Sequence, residues 1–429
     1  MTDDRAKLSP FLATMLVAGG MIGSGIFLLP ASLGAIGSIS MLGWLGAAIG
    51  ATLLAGVFSW LAILRPGGGL FSYIADAFGP GIGFVVGVIY WYPVTAVPIA
   101  LAVTGYLSVF VPQVASGAGA TIATIVILWL FVGINMFSAR LVARFGGWTL
   151  ALGAAPVVLI ATFGWFAFDP AIFTASWNVS GQGAFEVLPN AVVIIFWAFV
   201  GIESAVIVAP LLRDPARDAP LATFGGLALA TVLYLLASGA IMGILPAAVL
   251  AKSSAPFADA AKPLLGASIA GLVALCAMLK AAGTLGGTIL VTVETAESDA
   301  VLGQILPNRP PQRADRPPKI NLLFTGVVMS LVAIASTSPS LGRQFAIVVN
   351  VAVVLNLLTY LAACLALVRF AFDLRGGRRV AAWAIGAGGA LFSCWAIAVS
   401  ESDLLIWSVA AVAFALLLWV PIRLRQVRR

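Results

Sequence analysis

Histidine is absent from this chain of 429 residues, and charged residues make up only 9% of it. The first absence removes the commonest metal ligand and the usual switch near neutral pH. Any response to pH therefore has to come from carboxylates, lysine or tyrosine. The second absence excludes a soluble domain, in which about a quarter of the residues are charged. Cysteine is scarce as well: Cys276, Cys364 and Cys394 all fall in apolar runs, without metal-ligand or disulfide spacing. No nucleophile, base and orienting group occur together, so an enzyme is not expected. Neither a cofactor nor a metal is expected: GPGIGF at 79–84 lacks the following Lys or Ser and the strand context of a phosphate-binding loop.

What is present is apolar sequence, 62% of the chain. Runs of about 20 apolar residues, enough to cross the hydrocarbon core, occur near 10–34, 38–63, 80–110, 118–138, 146–168, 187–212, 219–246, 266–292, 320–338, 343–370, 380–400 and 403–422. The first is too long and too rich in glycine for a cleavable signal, and reads as a retained span. Lys and Arg in short loops stay on the cytoplasmic side. With both termini inside, 19 of the 23 basic residues fall on that side, while Lys252, Lys262 and Arg343 fall opposite and Lys280 lies within a span. The asymmetry supports an even number of crossings, twelve. It makes the net charge of +7 an orientation signal, with no nucleic-acid partner implied. The connector PNRPPQRADRPPK, 307–319, then lies where it meets anionic headgroups.

Two of the runs are interrupted. GGMIGSGIFLLP, 19–30, places Gly19, Gly20, Gly23, Ser24 and Gly25 inside the first. FWAFVGIESAVIVAP, 196–210, places Gly201, Glu203 and Ser204 inside the sixth. Lipid cannot satisfy an opened backbone, so a break is tolerated where it lines a cavity or is buried in protein. Close helix packing through small residues is the plainer reading of either run alone. Breaks at corresponding places in two halves fit a five-plus-five inverted repeat, 10–168 and 187–370, with 380–422 peripheral and a midplane site between the halves. Four half-helix ends at one place present free N–H groups and free C=O groups. That combination suits an amino-acid zwitterion.

The stretches VAGGMIGSGIFLLPASLG, FGP and YW near the third run, FWAFVGIESA with RDPARDAPLATFGG, SAPFADAAKPLLG, and GTLGG resemble the amino acid/polyamine/organocation transporter superfamily. They are most similar to its bacterial arginine/agmatine antiporter group, with the cadaverine/lysine and putrescine/ornithine relatives. The resemblance implies an all-α polytopic inner-membrane protein of the leucine-transporter type, with 12 transmembrane helices of which the first and sixth are broken. It also implies exchange of amino acids or amines by alternating access, and it leaves a homodimer open. Carried over by position, it sets the substrate carboxylate on Ser24 and the Gly25 amide, and the ammonium on the carbonyls of Met21, Trp197 and Val200. Trp197 becomes a stacking gate, and Tyr90 with Glu203 a deeper one. The chain departs from that group at Gly20, at Pro93, Val94 and Pro98 where the third span would meet the side chain, and at Thr288 where a tryptophan would cover it. Uptake of a smaller neutral amino acid, proton-coupled or uncoupled, therefore stays open, as does the different class of a channel or non-transporting sensor.

Glu203 and Lys280 are the ionisable groups left near mid-membrane. A charge there costs about 2.5–3.5 kcal/mol on insertion scales, which makes each a functional candidate. A structural ion pair between them is the plain alternative. Glu203 reads as a proton-linked gate. Lys280 lies one turn before Thr284. Sodium-coupled relatives of the fold hold an ion between spans one and eight, so the resemblance implies that the ammonium stands in for a cation or carries a coupling proton.

Overall fold

The computed structural model describes residues 9–66, 69–91, 93–204, 214–297, 319–400 and 409–420, together with Leu212. All of the 307–319 connector except Lys319 lies outside them. Within an apolar run every backbone group must be paired inside the segment, and a helix does this locally. The first run forms α1 (Pro10–Met21) and α2 (Ser24–Gly34), the second α3 (Ser40–Leu64). A connector helix, α4 (Leu70–Phe78), precedes α5 (Pro80–Trp91), α6 (Ala96–Leu107), α7 (Gly117–Phe137) and α8 (Ala139–Phe163). After α9 (Pro170–Ala175) come α10 (Ala184–Phe196), α11 (Pro215–Ile244), the short α12 (Ala247–Leu250) and the long α13 (Pro256–Glu297). The rest are α14 (Lys319–Ala335), α15 (Leu341–Ala371), α16 (Gly376–Ala398) and α17 (Val409–Val420).

Among the described residues eight stretches are long and apolar enough to cross a membrane, and five further apolar helices are shorter. Each coincides with one of the apolar runs. Their ends follow local chemistry: Ser9 accepts from the Leu12 amide ahead of Pro10, and Ser138, Asp214 and Ser340 cap α8, α11 and α15 in the same way. The third run is not the continuous helix expected of it. Pro93 has no amide to donate, and a 3₁₀ turn, Pro93–Thr95, joins α5 to α6. The eighth begins earlier than expected, at Pro256, and turns at Gly266, whose φ is +81°.

Lipid supplies no hydrophobic drive between helices, so close packing through small residues does the holding. α3 lies on α10 at Gly43 and Gly46, where a Cβ would stand 2.9 Å from Ile195 Cδ1 and 2.9 Å from Val192 Cγ2. α11 lies on α1 at Gly226, where a Cβ would stand 2.8 Å from Val17 Cγ1. α8 lies along α13, and Gly153 leaves the space that the Lys280 stem fills. Side chains on outward faces, among them Ile49, Val126, Leu331 and Leu391, are apolar and exposed, as a membrane-facing surface requires. The first two of these contacts hold α10 and α1 from behind.

Candidate functional site

The first break can be followed hydrogen bond by hydrogen bond. Ile22 N still donates to Ala18 O at 2.8 Å, as in a regular helix. The next amide, Gly23 N, would reach Gly19 O in a continuous helix, but it donates to Met21 O at 2.6 Å instead. Gly19 O is thereby released, and Lys280 Nζ donates to it at 3.2 Å. The same ammonium donates to Thr284 Oγ1 at 3.0 Å, and Thr284 Oγ1 donates back to Lys280 O at 3.0 Å. Lys280, 5% exposed, thus ties the end of α1 to α13. α2 restarts at Ser24, and its first amides, Gly25 among them, have no partner further back in the helix.

The second break is built alike. α10 passes into a 3₁₀ turn, Trp197–Phe199; Val200 is extended, and Gly201 has a φ of +108°, which L side chains rarely adopt. Ile202 N donates to Phe199 O, which releases Ala198 O, and Tyr234 OH donates to that carbonyl at 3.2 Å. Trp44 and Tyr234 pack against Phe199 and wedge the turn from behind. At each break, then, a freed carbonyl is taken by a long side chain from another helix.

The two breaks meet. A Cβ at Gly201 would stand 3.7 Å from the Gly20 carbonyl, and one at Gly25 would stand 3.0 Å from Trp197 Cδ1. Trp197 Nε1 is buried there without a partner. Beside them is a cavity of about 310 Å³, within the usual range for a small-molecule site. Of the residues read from the sequence, Met21, Gly25, Tyr90, Trp197, Val200, Glu203, Thr284 and Thr288 line it. Ser24 opens α2, and its side chain lies outside the described part. Val94 and Pro98 are buried elsewhere: Val94 lines a separate apolar cavity of about 140 Å³, and the main cavity takes Thr95 and Ile99 in their place. Val94 lies in the 3₁₀ turn Pro93–Thr95 itself, where the backbone does not keep α-helical phase.

Glu203, 3% exposed, is held by three donors: Tyr90 OH to Oε1 at 2.9 Å, Tyr360 OH to Oε2 at 2.6 Å, and the Gly201 amide to Oε2 at 3.0 Å. Bonds of this charge-assisted kind offset the cost of burying a carboxylate. Its partners and those of Lys280 are separate sets, and no ion pair joins the two. The structural pairing weighed from the sequence is therefore not the arrangement found. Sequence reading also missed Tyr360, Asn356 and Thr292, and named Ser204 only as part of the break; all are near or on the cavity. Thr292 was accessible to it: Thr284, Thr288 and Thr292 recur every fourth residue on one face of α13.

The family model described as amino acid permease matches residues 8–420 of the chain. The cadaverine/lysine antiporter of Escherichia coli strain K12 is 35% identical over 372 residues, covering 85% of this chain and 84% of that protein. The putrescine transporter PotE of the same strain is 30% identical over 370 residues, covering 84% of this chain and 83% of the relative. PotE of Haemophilus influenzae is 30% identical over 366 residues, covering 84% of each.

Proposed function

The chain belongs to the amino acid permease family, a family of transporters, and on that premise we propose that it is a secondary-active antiporter exchanging an amino acid and an amine by alternating access. The observation that carries the reading is the cavity at the meeting of two broken helices, with Gly25 of the first turn of α2 on it and Met21, Trp197 and Val200 of the breaks beside it. In this reading the substrate carboxylate sits on Ser24 and the Gly25 amide, the ammonium on the carbonyls of Met21, Trp197 and Val200, and Trp197 covers both. Twelve spans complete the architecture, with repeats over 10–168 and 187–370, a peripheral pair over 380–422, and both termini on the cytoplasmic side of a bacterial inner membrane.

The exchanged pair is a basic amino acid and its decarboxylated amine. Aliphatic primary amines suit this cavity better than the arginine and agmatine implied by the motif resemblance. Thr288 gives no aromatic cover for a planar guanidinium, and the relatives described above are named for cadaverine, lysine and putrescine. Purified protein in liposomes decides the matter, with radiolabelled lysine, cadaverine, putrescine, arginine and agmatine each offered outside. Uptake is expected only into vesicles preloaded with a counter-substrate. Uptake into empty vesicles driven by a proton gradient would overturn exchange in favour of symport.

Tyr90, Tyr360 and Glu203 form the gate of this proposal. An ionised Glu203 accepts from both hydroxyls, whereas a protonated one turns an O–H toward one of them, which reverses that bond and replaces a charge-assisted contact by a neutral one. Glu203→Gln fixes a neutral side chain in the same shape. Its exchange rate is expected to vary little across a pH series over which the native rate varies, with thermal stability close to native. An unchanged profile would remove Glu203 from the gate.

A further inference from the structure

Asn356 sits on α15 one turn before Tyr360, is 4% exposed, and lines the cavity. Its Nδ2 donates to the Ala352 carbonyl at 2.8 Å. A backbone carbonyl can only accept, so this bond decides how the amide is turned: nitrogen on the helix, oxygen free. Oδ1 takes no hydrogen bond among the described residues. The Oδ1 atoms of Asn135 and Asn350 are fully buried; that of Asn356 is not among the fully buried unpartnered atoms, and Asn356 lines the cavity. A bare acceptor on a residue this buried is costly until a donor arrives.

The neighbouring chemistry selects the donor. Glu203 is the one charged side chain on the cavity among the described residues, and no Lys or Arg lines it. Thr288 and Thr292 add hydroxyl oxygens on the facing helix. A bare amide oxygen, hydroxyls that can accept, one acid and no basic side chain fit a cation with several N–H bonds and disfavour a second carboxylate. We infer that Asn356 Oδ1 receives the terminal ammonium of the substrate side chain. The inference rests on the transport reading and adds the residue that reads the side chain. It is a position the sequence motifs did not single out.

Lysine and norleucine share a carbon chain and differ in the terminal ammonium, so the pair isolates the contact. Both are measured as competitors of exchange in proteoliposomes, in native protein and in Asn356→Leu, Asn356→Ala and Asn356→Asp. Native protein is expected to prefer lysine. In Asn356→Leu, and equally in Asn356→Ala should the leucine variant fail to fold, lysine is expected to weaken by about tenfold or more, the loss of one hydrogen bond to a charged group. Norleucine should hold its native value. Asn356→Asp keeps the acceptor and should keep lysine within a few-fold of native. Equal losses for both ligands, or no loss for either, would overturn the assignment and leave the transport reading standing, whereas a native preference for norleucine would overturn the assignment together with the basic substrate pair. Native protein that exchanges no amino acid or amine overturns the transport reading itself.

Discussion

Gly25→Val is expected to abolish substrate binding while the protein remains folded. The reason lies in what surrounds the position: a Cβ there would stand 3.0 Å from Trp197 Cδ1 and 3.2 Å from Ala198 Cα. The indole can swing, but Ala198 Cα is backbone of the second break, held by Tyr234 and by the aromatic wedge behind it. A valine therefore has to push the two breaks apart, and its branches cover the α2 amides that the proposed site offers to a carboxylate. Losing two hydrogen bonds to a charged group, at roughly 1.5–3 kcal/mol each, corresponds to about a hundredfold or more in affinity. Gly25→Ala should give an intermediate loss, because one methyl meets the same atoms without branching. Equilibrium binding of labelled lysine, with thermal unfolding as the control for integrity, measures both. Affinity within a few-fold of native in the valine variant would place the carboxylate site elsewhere.

The breaks were legible in the sequence because glycine, serine and a carboxylate are conspicuous in a run that otherwise has to be a continuous helix. Glycine marks a place where the backbone opens, and Gly201, with its positive φ, is such a place. What the breaks require of the rest of the protein was much less legible. That Lys280 would lie near Thr284 followed from their spacing. That it would take Gly19 O depended on Gly23 turning its amide to Met21, a detail of one dihedral pair that no composition reveals. Tyr234 and Tyr360 look in the sequence like any tyrosine in a span, and their roles come from helices far apart in the chain meeting at one carbonyl or one carboxylate. Val94 and Pro98 lie off the cavity, and Val94 sits in the 3₁₀ turn that begins at Pro93, where α-helical phase is not kept. Asn356, in an unbroken helix without a motif, stands out only through its hydrogen bonds.

Lys280→Ala is expected to remove most transport in sodium-free buffer and to recover part of it when a small cation is supplied. The ammonium bridges a carbonyl freed by the first break and a hydroxyl of α13. Its removal leaves Gly19 O without this donor, at about 1–3 kcal/mol for a buried group left unsatisfied, while Thr284 Oγ1 keeps its bond to the carbonyl of residue 280. It also opens a void against Gly153, which the lysine stem fills. The joint between α1 and α13 is then loose where alternating access needs it to move as a unit. In the cation-mimic reading, native transport is the same in sodium and in choline buffers, and sodium restores the alanine variant by occupying the vacated oxygens. Lys280→Met, which refills the volume without the charge, should be nearly as inactive but more stable. The competing account, a lysine kept for pairing with Glu203, forecasts that Lys280→Ala and Glu203→Gln are each unstable and that the double variant is rescued. Glu203 is held by Tyr90, Tyr360 and Gly201 instead. The two stability changes should therefore add to within about 0.5 kcal/mol, as for independent sites. Thermal unfolding of both single variants and the double one checks this, and rescue in the double would restore the pairing. Full transport by Lys280→Ala in sodium-free buffer would exclude an essential role for this residue in coupling and in cation mimicry alike.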